Sequence, residues 1–229
     1  MKTNKLSLIK LGYGTYGMRE LEVTNILERL KNIGYESLEI TVSSGWPTTP
    51  QALSKKDRKD LSQKIRDLGF TPSPVMALLN LCVEGDERMT MLEDFRAACE
   101  LAQDLNWGDE HAVVTSTLGK PQLAWDTGRD QITEMLVELA DIAQRQKVVL
   151  AVEPHVGAAL DSPEKAVWLM KKTDHPHLRL NFDISHFHVQ GMDTQQCISQ
   201  CMPYAVHIHI KDGYKTQDGS VVFQLPGEG

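Results

Sequence analysis

Hydrophobic positions along the chain change period repeatedly. Short runs rich in Val, Ile and Leu give way to stretches whose apolar residues recur three and four apart. The short runs predict strands at Leu6–Leu11, Ser37–Val42, within Phe70–Leu79, and at Ala112–Thr115, Val148–Glu153, Leu178–Asp183 and Ala205–Ile210. The longer stretches predict helices near Val23–Asn32, Lys55–Leu68, Met89–Leu105, Asp130–Gln146, after Ser162, and at Thr194–Cys201. Their ends carry matching signals. Ile26, Leu27, Leu30 and Ile33 make one apolar stripe, stopped by Gly34 as a C-terminal cap would stop it. Ser162, Pro163 and Glu164 read as an N-cap, a first-turn proline and a first-turn acid. Pro72 and Pro74 make the start of the third strand irregular.

Alternating strands and helices with no linker imply one α/β domain over residues 1–229 with a parallel sheet, either open and doubly wound or closed as a TIM-type (β/α) barrel. The units recur roughly every 33 residues, so seven fit; an eighth would need roughly 30 more beyond the last strand. The expectation is a barrel lacking its eighth β/α unit in this chain, C-terminally incomplete.

Side chains alternate across a strand. In VVLAVEPH, Val149, Ala151, Glu153 and His155 share one face. In LRLNFDISH, Arg179, Asn181 and Asp183 do; in AVHIHIKD, His207, His209 and Lys211 do. Three successive strands thus carry ionisable groups on one face towards their C-terminal ends, where barrel enzymes place their chemistry. Buried and unpaired, such charges are costly. A divalent cation bound by Glu153, Asp183 and His209 would neutralise the carboxylates. Two carboxylates and an imidazole suit Mn²⁺, Mg²⁺, Co²⁺ or Zn²⁺, and ligand type does not choose among them. The alternative is a set of surface ion pairs at ordinary strand ends.

The motifs VEPH, FDISHF and HIHIKDG resemble those of the sugar phosphate isomerase/epimerase superfamily, the xylose isomerase-like TIM barrels. The resemblance runs over essentially the whole chain, including LPGEG at 225–229, which is similar to the loop before that family's eighth strand. It implies one metal held by Glu153, Asp183 and His209, with a further glutamate from the eighth strand; Glu228 belongs to the loop pattern instead. It implies that His186 contacts substrate oxygens or, as in multi-zinc relatives, metal. It also implies a reaction: a proton leaves the carbon next to a carbonyl, the enediolate is stabilised electrostatically, and Glu153 is one of two acid/base groups. Read from strand parity, His155 stands at the rim beside Glu153, and Lys211 could meet an anionic group or simply be solvated. Both are candidates for substrate contact. The expected function is a metal-dependent isomerase or epimerase of a sugar or sugar phosphate. Alternatives are a keto-sugar or keto-inositol dehydratase on the same barrel, and a degenerate, non-catalytic sugar-binding barrel.

Composition narrows the partners. The net charge of −7 argues against nucleic acid. The one basic run, Lys55, Lys56, Arg58 and Lys59, is broken by Asp57 and Asp60 and reads as a solvated helix face. A DNA-repair endonuclease of the endonuclease IV type would need histidines on the second and third strands, and TPSPVMALLN has none. No apolar run approaches ~18 residues and MKTNKLSLIK lacks a signal core, so no membrane partner and a cytoplasmic location are expected. The partner is then a small molecule, with room left for a homo-oligomer. Cys82, Cys99, Cys197 and Cys201 form no CxxC pair and read as buried thiols.

Several other positions carry alternatives. Gly12, Gly14 and Gly17 fit GxGxxG with Glu39 downstream, but the helix begins only near Val23, which favours a loop at the barrel mouth over a dinucleotide site. Glu39 points inward with Ser37 and Thr41, towards substrate or towards a neighbouring cation. Trp46 is either a pocket wall or a loop anchor. Asn181 and His207 lie one layer below the metal residues and read as hydrogen-bonding support. His111 falls at the N-terminal, stability face of the barrel, and His175, His177 and His188 are expected at the surface.

Overall fold

The computed structural model describes residues 9–120 and 123–229. Seven strands form one parallel sheet in strict sequence order: β1 (Gly12–Gly14), β2 (Ser37–Thr41), β3 (Val75–Met76), β4 (Ala112–Ser116), β5 (Val148–Val152), β6 (Leu178–Asp183) and β7 (Ala205–His209). The helices between them are α1 (Leu27–Ile33), α2 (Lys55–Asp67), α3 (Gly85–Asp104), α4 (Trp125–Arg145), α5 (Pro163–Thr173), α6 (Ile184–His188) and α7 (Thr194–Cys201). A doubly wound sheet reverses its strand order at a switch point; this one does not. The sheet also curls. β2 and β7 are five positions apart, about 24 Å in a flat sheet at about 4.8 Å per strand, yet Glu39 and His209 are 2.9 Å apart. The architecture is the seven-strand part of a TIM-type barrel.

The core lies between the outward strand faces and the helices. Ile40, Val75, Val114, Leu150 and Leu180 are fully buried, as are Leu27, Ile65, Phe95, Ile132, Leu136 and Leu169 from the facing helices. Each such side chain contributes about 1.5–3 kcal/mol. The four cysteines are free and buried in this layer. β7 differs from β5 and β6, since its outward Val206 is 45% exposed. Among the described residues no helix is long and apolar enough to cross a membrane.

Local signals explain most boundaries. Ser54 and Asp57 form a reciprocal capping box at the start of α2, and the Ser162 side chain caps α5 ahead of Pro163. Gly34 ends α1 at φ +113°, a conformation that only glycine adopts without strain.

Several elements depart from expectation, among them α4, which begins at Trp125 rather than near Asp130, and the short α6, which was not foreseen. Residues 6–8 of the first expected strand lie outside the described residues, and 9–11 are not strand. β1 begins at Gly12, set by its ladder with Ser37–Glu39 of β2 rather than by local apolar content. A Cβ at Gly12 would stand 3.3 Å from that of Ser37, so glycine permits the close approach. The first helix is split into a 3₁₀ turn at Val23–Asn25 and α1 proper. β3 shrinks to two residues because Pro72 and Pro74 cannot donate to a ladder. A further element, unforeseen by the repeat, follows β7: an antiparallel hairpin of β8 (Asp212–Lys215) and β9 (Val221–Gln224).

Candidate functional site

Glu153, Asp183 and His209 meet at the C-terminal ends of β5, β6 and β7. Ligand atoms of all three lie within 4.8 Å of one another. A register shift in the β6–β7 ladder between Leu180 and Asn181 brings Asn181 opposite His207 and Asp183 opposite His209. Glu153 follows the last residue of β5 and is 5% exposed. Its Oε2 accepts from Asn181 Nδ2 at 2.6 Å and faces His209 Nδ1 at 2.9 Å; its Oε1 lies 2.9 Å from His186 Nε2.

Asp183 has a divided role. It is the N-cap of α6, where Oδ1 accepts from Ser185 N at 2.9 Å. Its Oδ2 is buried and accepts no hydrogen bond, although Lys211 Nζ stands off-axis at 2.9 Å. The α6 turn then swings His186 inward to zero exposure, with Nδ1 buried and unpaired. Ser185 Oγ, bonded to both the N–H and the carbonyl of Lys211, fixes the end of β7 against this turn. Unpaired buried polar atoms cost about 1–3 kcal/mol each. Two carboxylates and an imidazole converging beside a buried carboxylate oxygen that makes no regular hydrogen bond form a donor set that fits a divalent cation.

The electrostatics are tightly coupled. Burial works against the Glu153 carboxylate, but hydrogen bonds from His186 and His209 outweigh it and hold its pKa below the ordinary carboxylate range. Burial likewise opposes charge on His209, yet hydrogen bonds to Glu153 and Glu39 push it up to about 10. Lys211 is also raised, since Glu153 and Asp183 overcome the effect of its burial. His155 moves the other way, lowered by burial and by His186. Its Nδ1 donates to the Val156 carbonyl at 2.8 Å, which leaves Nε2 free to accept, and its ring lies on His186 with centroids 3.8 Å apart.

All the residues singled out at the ends of β5–β7 are therefore in one place: Glu153, Asp183, His209, His186, His155 and Lys211. Arg179, on the same strand face, is not; it folds back onto the carbonyls of His175 and Leu178. Glu39 reaches the site from across the barrel, 2.9 Å from His209 Nε2. Sequence parity placed it inward but could not say which strand it would meet. Phe223 was missed altogether. From β9 it sets its edge against His186 at 5.3 Å and lies 5.2 Å from Lys211 Nζ. The Asp218–Gly219 turn between alternating residues was the available signal for that hairpin.

The discounted features resolve as follows. Gly12–Gly17 forms β1 and a 3₁₀ turn, and no helix starts within the glycines. Trp46 stacks on Tyr16 and donates to its carbonyl at 3.2 Å, a loop anchor. His177 corrects the surface expectation: it is 9% exposed, because Nδ1 donates to the Val148 carbonyl at 2.6 Å and the ring packs beneath β5.

Comparison with known proteins agrees with this geometry. A family model described as xylose isomerase-like TIM barrel matches residues 27–229. The chain is 22% identical over 198 residues to a 3-dehydroshikimate dehydratase of Bacillus anthracis, a match covering 84% of this chain and 67% of that protein. A D-psicose 3-epimerase of Clostridium cellulolyticum H10, solved with D-tagatose, superposes with a TM-score of 0.76 at 18% identity, over 89% of this chain and 73% of that one. The IOLI protein, solved with a zinc atom, superposes with a TM-score of 0.78 at 19% identity, over 96% and 80%.

Proposed function

The chain belongs to the xylose isomerase-like TIM-barrel family, and from that premise we propose that it is a divalent-metal-dependent isomerase or epimerase of a sugar or sugar phosphate. The observation that carries the reading is the convergence of Glu153, Asp183 and His209 around the buried Oδ2 of Asp183, which makes no regular hydrogen bond and is met by Lys211 Nζ at 2.9 Å. An ion held by these three residues would supply positive charge against the negative charge that develops on a substrate oxygen. Mn²⁺, Mg²⁺, Co²⁺ and Zn²⁺ all suit the donors, and a structural relative carries zinc.

The chain's own groups have matching roles. Glu153, a carboxylate held ionised by its neighbours, takes the proton from the carbon beside the carbonyl; in isomerisation it can return it to the adjacent carbon, whereas epimerisation needs a second acid/base group on the opposite face. His186 and His155 face the same space and bond substrate hydroxyls. Lys211, kept charged, meets a phosphate or another anionic oxygen. Phe223 of the hairpin stands beside His186 and Lys211 on one side of this space.

A second reading, dehydration, is favoured by one observation: Lys211 Nζ lies 3.0 Å from His186 Nε2 and 3.6 Å from Glu153 Oε1, so a cationic proton donor stands beside the base. Loss of hydroxyl needs such a donor, and the Bacillus anthracis relative is a dehydratase. Incubation in D₂O with Mn²⁺ and a panel of ketoses, ketose phosphates and cyclic keto-polyols separates the readings. Deuterium beside the carbonyl with the hydroxyls retained supports isomerisation or epimerisation. An unsaturated, ultraviolet-absorbing product supports dehydration. Sugar binding with neither outcome supports a degenerate barrel.

A further inference from the structure

Glu39 sits in the middle of β2 between Leu38 and Ile40, both essentially inaccessible, and is itself 4% exposed. A carboxylate so placed needs partners. Among the described residues its ion-pair partners are histidines alone, with no lysine or arginine. His209 Nε2 stands 2.9 Å from Oε2, His207 Nε2 stands 3.5 Å from Oε1, and Thr115 Oγ1 on β4 donates to Oε1 at 2.7 Å. Thr115 therefore fixes the carboxylate from one side, and the carboxylate holds His209 from the other.

The two ring nitrogens of His209 face different acids. Nδ1 is turned to Glu153 Oε2 at 2.9 Å, inside the cluster that includes Asp183. Nε2 is turned to Glu39. A carboxylate can only accept, so the bond to Glu39 requires a proton on Nε2; in the ion-free protein Nδ1 carries one as well, shared with Glu153 Oε2, and that Nδ1 proton is the one an ion at the Glu153–Asp183 cluster would displace while Glu39 keeps the other. Histidines that ligate metals are held in this way, by an acceptor on the nitrogen that does not ligate.

We propose that Glu39 is a positioning residue: through Nε2–H it locks the ring and tautomer of His209 so that Nδ1 is the ligand atom aimed between Glu153 and Asp183. The inference rests on the metal-dependent reading above. It assigns β2 a part in a centre whose candidate ligands come from β5, β6 and β7. It also separates Glu39 from the competing role in which Glu39, His207 and His209, whose ligand atoms lie within 4.8 Å of one another, hold an ion of their own.

The test compares wild type, Glu39→Gln, Glu39→Leu and Asp183→Ala. Zn²⁺ affinity and stoichiometry are measured by chelator competition, and the ring nitrogens of His209 are followed by ¹⁵N NMR in the zinc-loaded protein. Glutamine keeps the volume and an acceptor oxygen, so a folded variant is available even if leucine is not tolerated. The expected result is one ion in the wild type, affinity lowered about 10–100-fold in Glu39→Leu and less in Glu39→Gln, and loss of the single Nε2–H signal in Glu39→Leu. Wild-type affinity and an unmoved His209 signal in both Glu39 variants, with binding abolished in Asp183→Ala, overturn the inference but not the metal reading. A second ion that disappears in Glu39→Gln overturns it as well, making Glu39 a ligand. No ion in the wild type overturns both.

Discussion

Each end of the central strands gathers histidines, and the two groups are built on opposite principles. At the N-terminal end, His177 gives its Nδ1 proton to the Val148 carbonyl and its backbone N–H to His175 Nδ1 at 3.1 Å. His175 Nε2 faces Asp141 at 3.3 Å, and His111 packs on the His177 ring. At the C-terminal end, His186, His207 and His209 lie among buried carboxylates, and Asn181 Oδ1, Asp183 Oδ2 and His186 Nδ1 have no hydrogen-bond partner. Clustered histidine is common to both ends. Unused acceptor capacity beside buried charge belongs to one, and that is the mark of a binding centre.

The sharpest way to break this comparison is to neutralise the base. Glu153→Gln should lower turnover about 10²–10⁴-fold, measured as the rate of deuterium incorporation, because a general base is lost while the volume is kept. Next in size, Asp183→Ala should weaken ion binding by about 100-fold or more, since it removes a ligand and the N-cap of α6 together. His177→Ala should leave ion affinity within about twofold of wild type. Equal losses of affinity in the two variants would mean the ends are not functionally distinct. His177→Ala should instead lower stability by about 1–3 kcal/mol in urea unfolding, through a lost buried hydrogen bond and packing against His111. An unfolding midpoint unchanged by His177→Ala would remove the structural role assigned to the N-terminal group.

The asymmetry between the ends was only half legible in the sequence. β5, β6 and β7 were readable because each alternates strictly, so Glu153, Asp183 and His209 could be placed on one face from period alone. Asn181, two residues before Asp183, was readable as support for the same reason. What crosses the barrel was not. Glu39 meets His209 only because the sheet curls, and curl is set by how seven strands stagger rather than by any local run. His177 was misjudged because its partner is a backbone carbonyl, and carbonyls leave no trace in a residue pattern. β1 was displaced for a related reason: a ladder partner on β2, not local apolar content, chose which residues pair.

Asp212 tests the comparison from within the C-terminal end, because it follows the rule of the other group. It stands three residues after His209, yet its oxygens are taken by backbone. Oδ1 accepts from Gly213 N at 2.8 Å, and Oδ2 from Gly227 N at 2.6 Å and Gly229 N at 3.3 Å. These bonds hold its pKa below the ordinary aspartate value. A carboxyl depressed in the folded state lends stability that is present above its unfolded pKa and is lost as pH falls through the folded one. The group is at the surface, so solvent screens the effect and it is the smallest of the four. The 225–229 loop should therefore stay docked from neutrality down to about pH 4 and loosen below it. The Gly227 and Gly229 amide resonances would shift together with the Asp212 carboxyl in a pH series. Asp212→Asn should abolish that transition while leaving ion affinity unchanged. A fall in ion affinity on this substitution would join Asp212 to the centre after all, and the distinction between carboxylates held by backbone and carboxylates left open to a ligand would have to be redrawn.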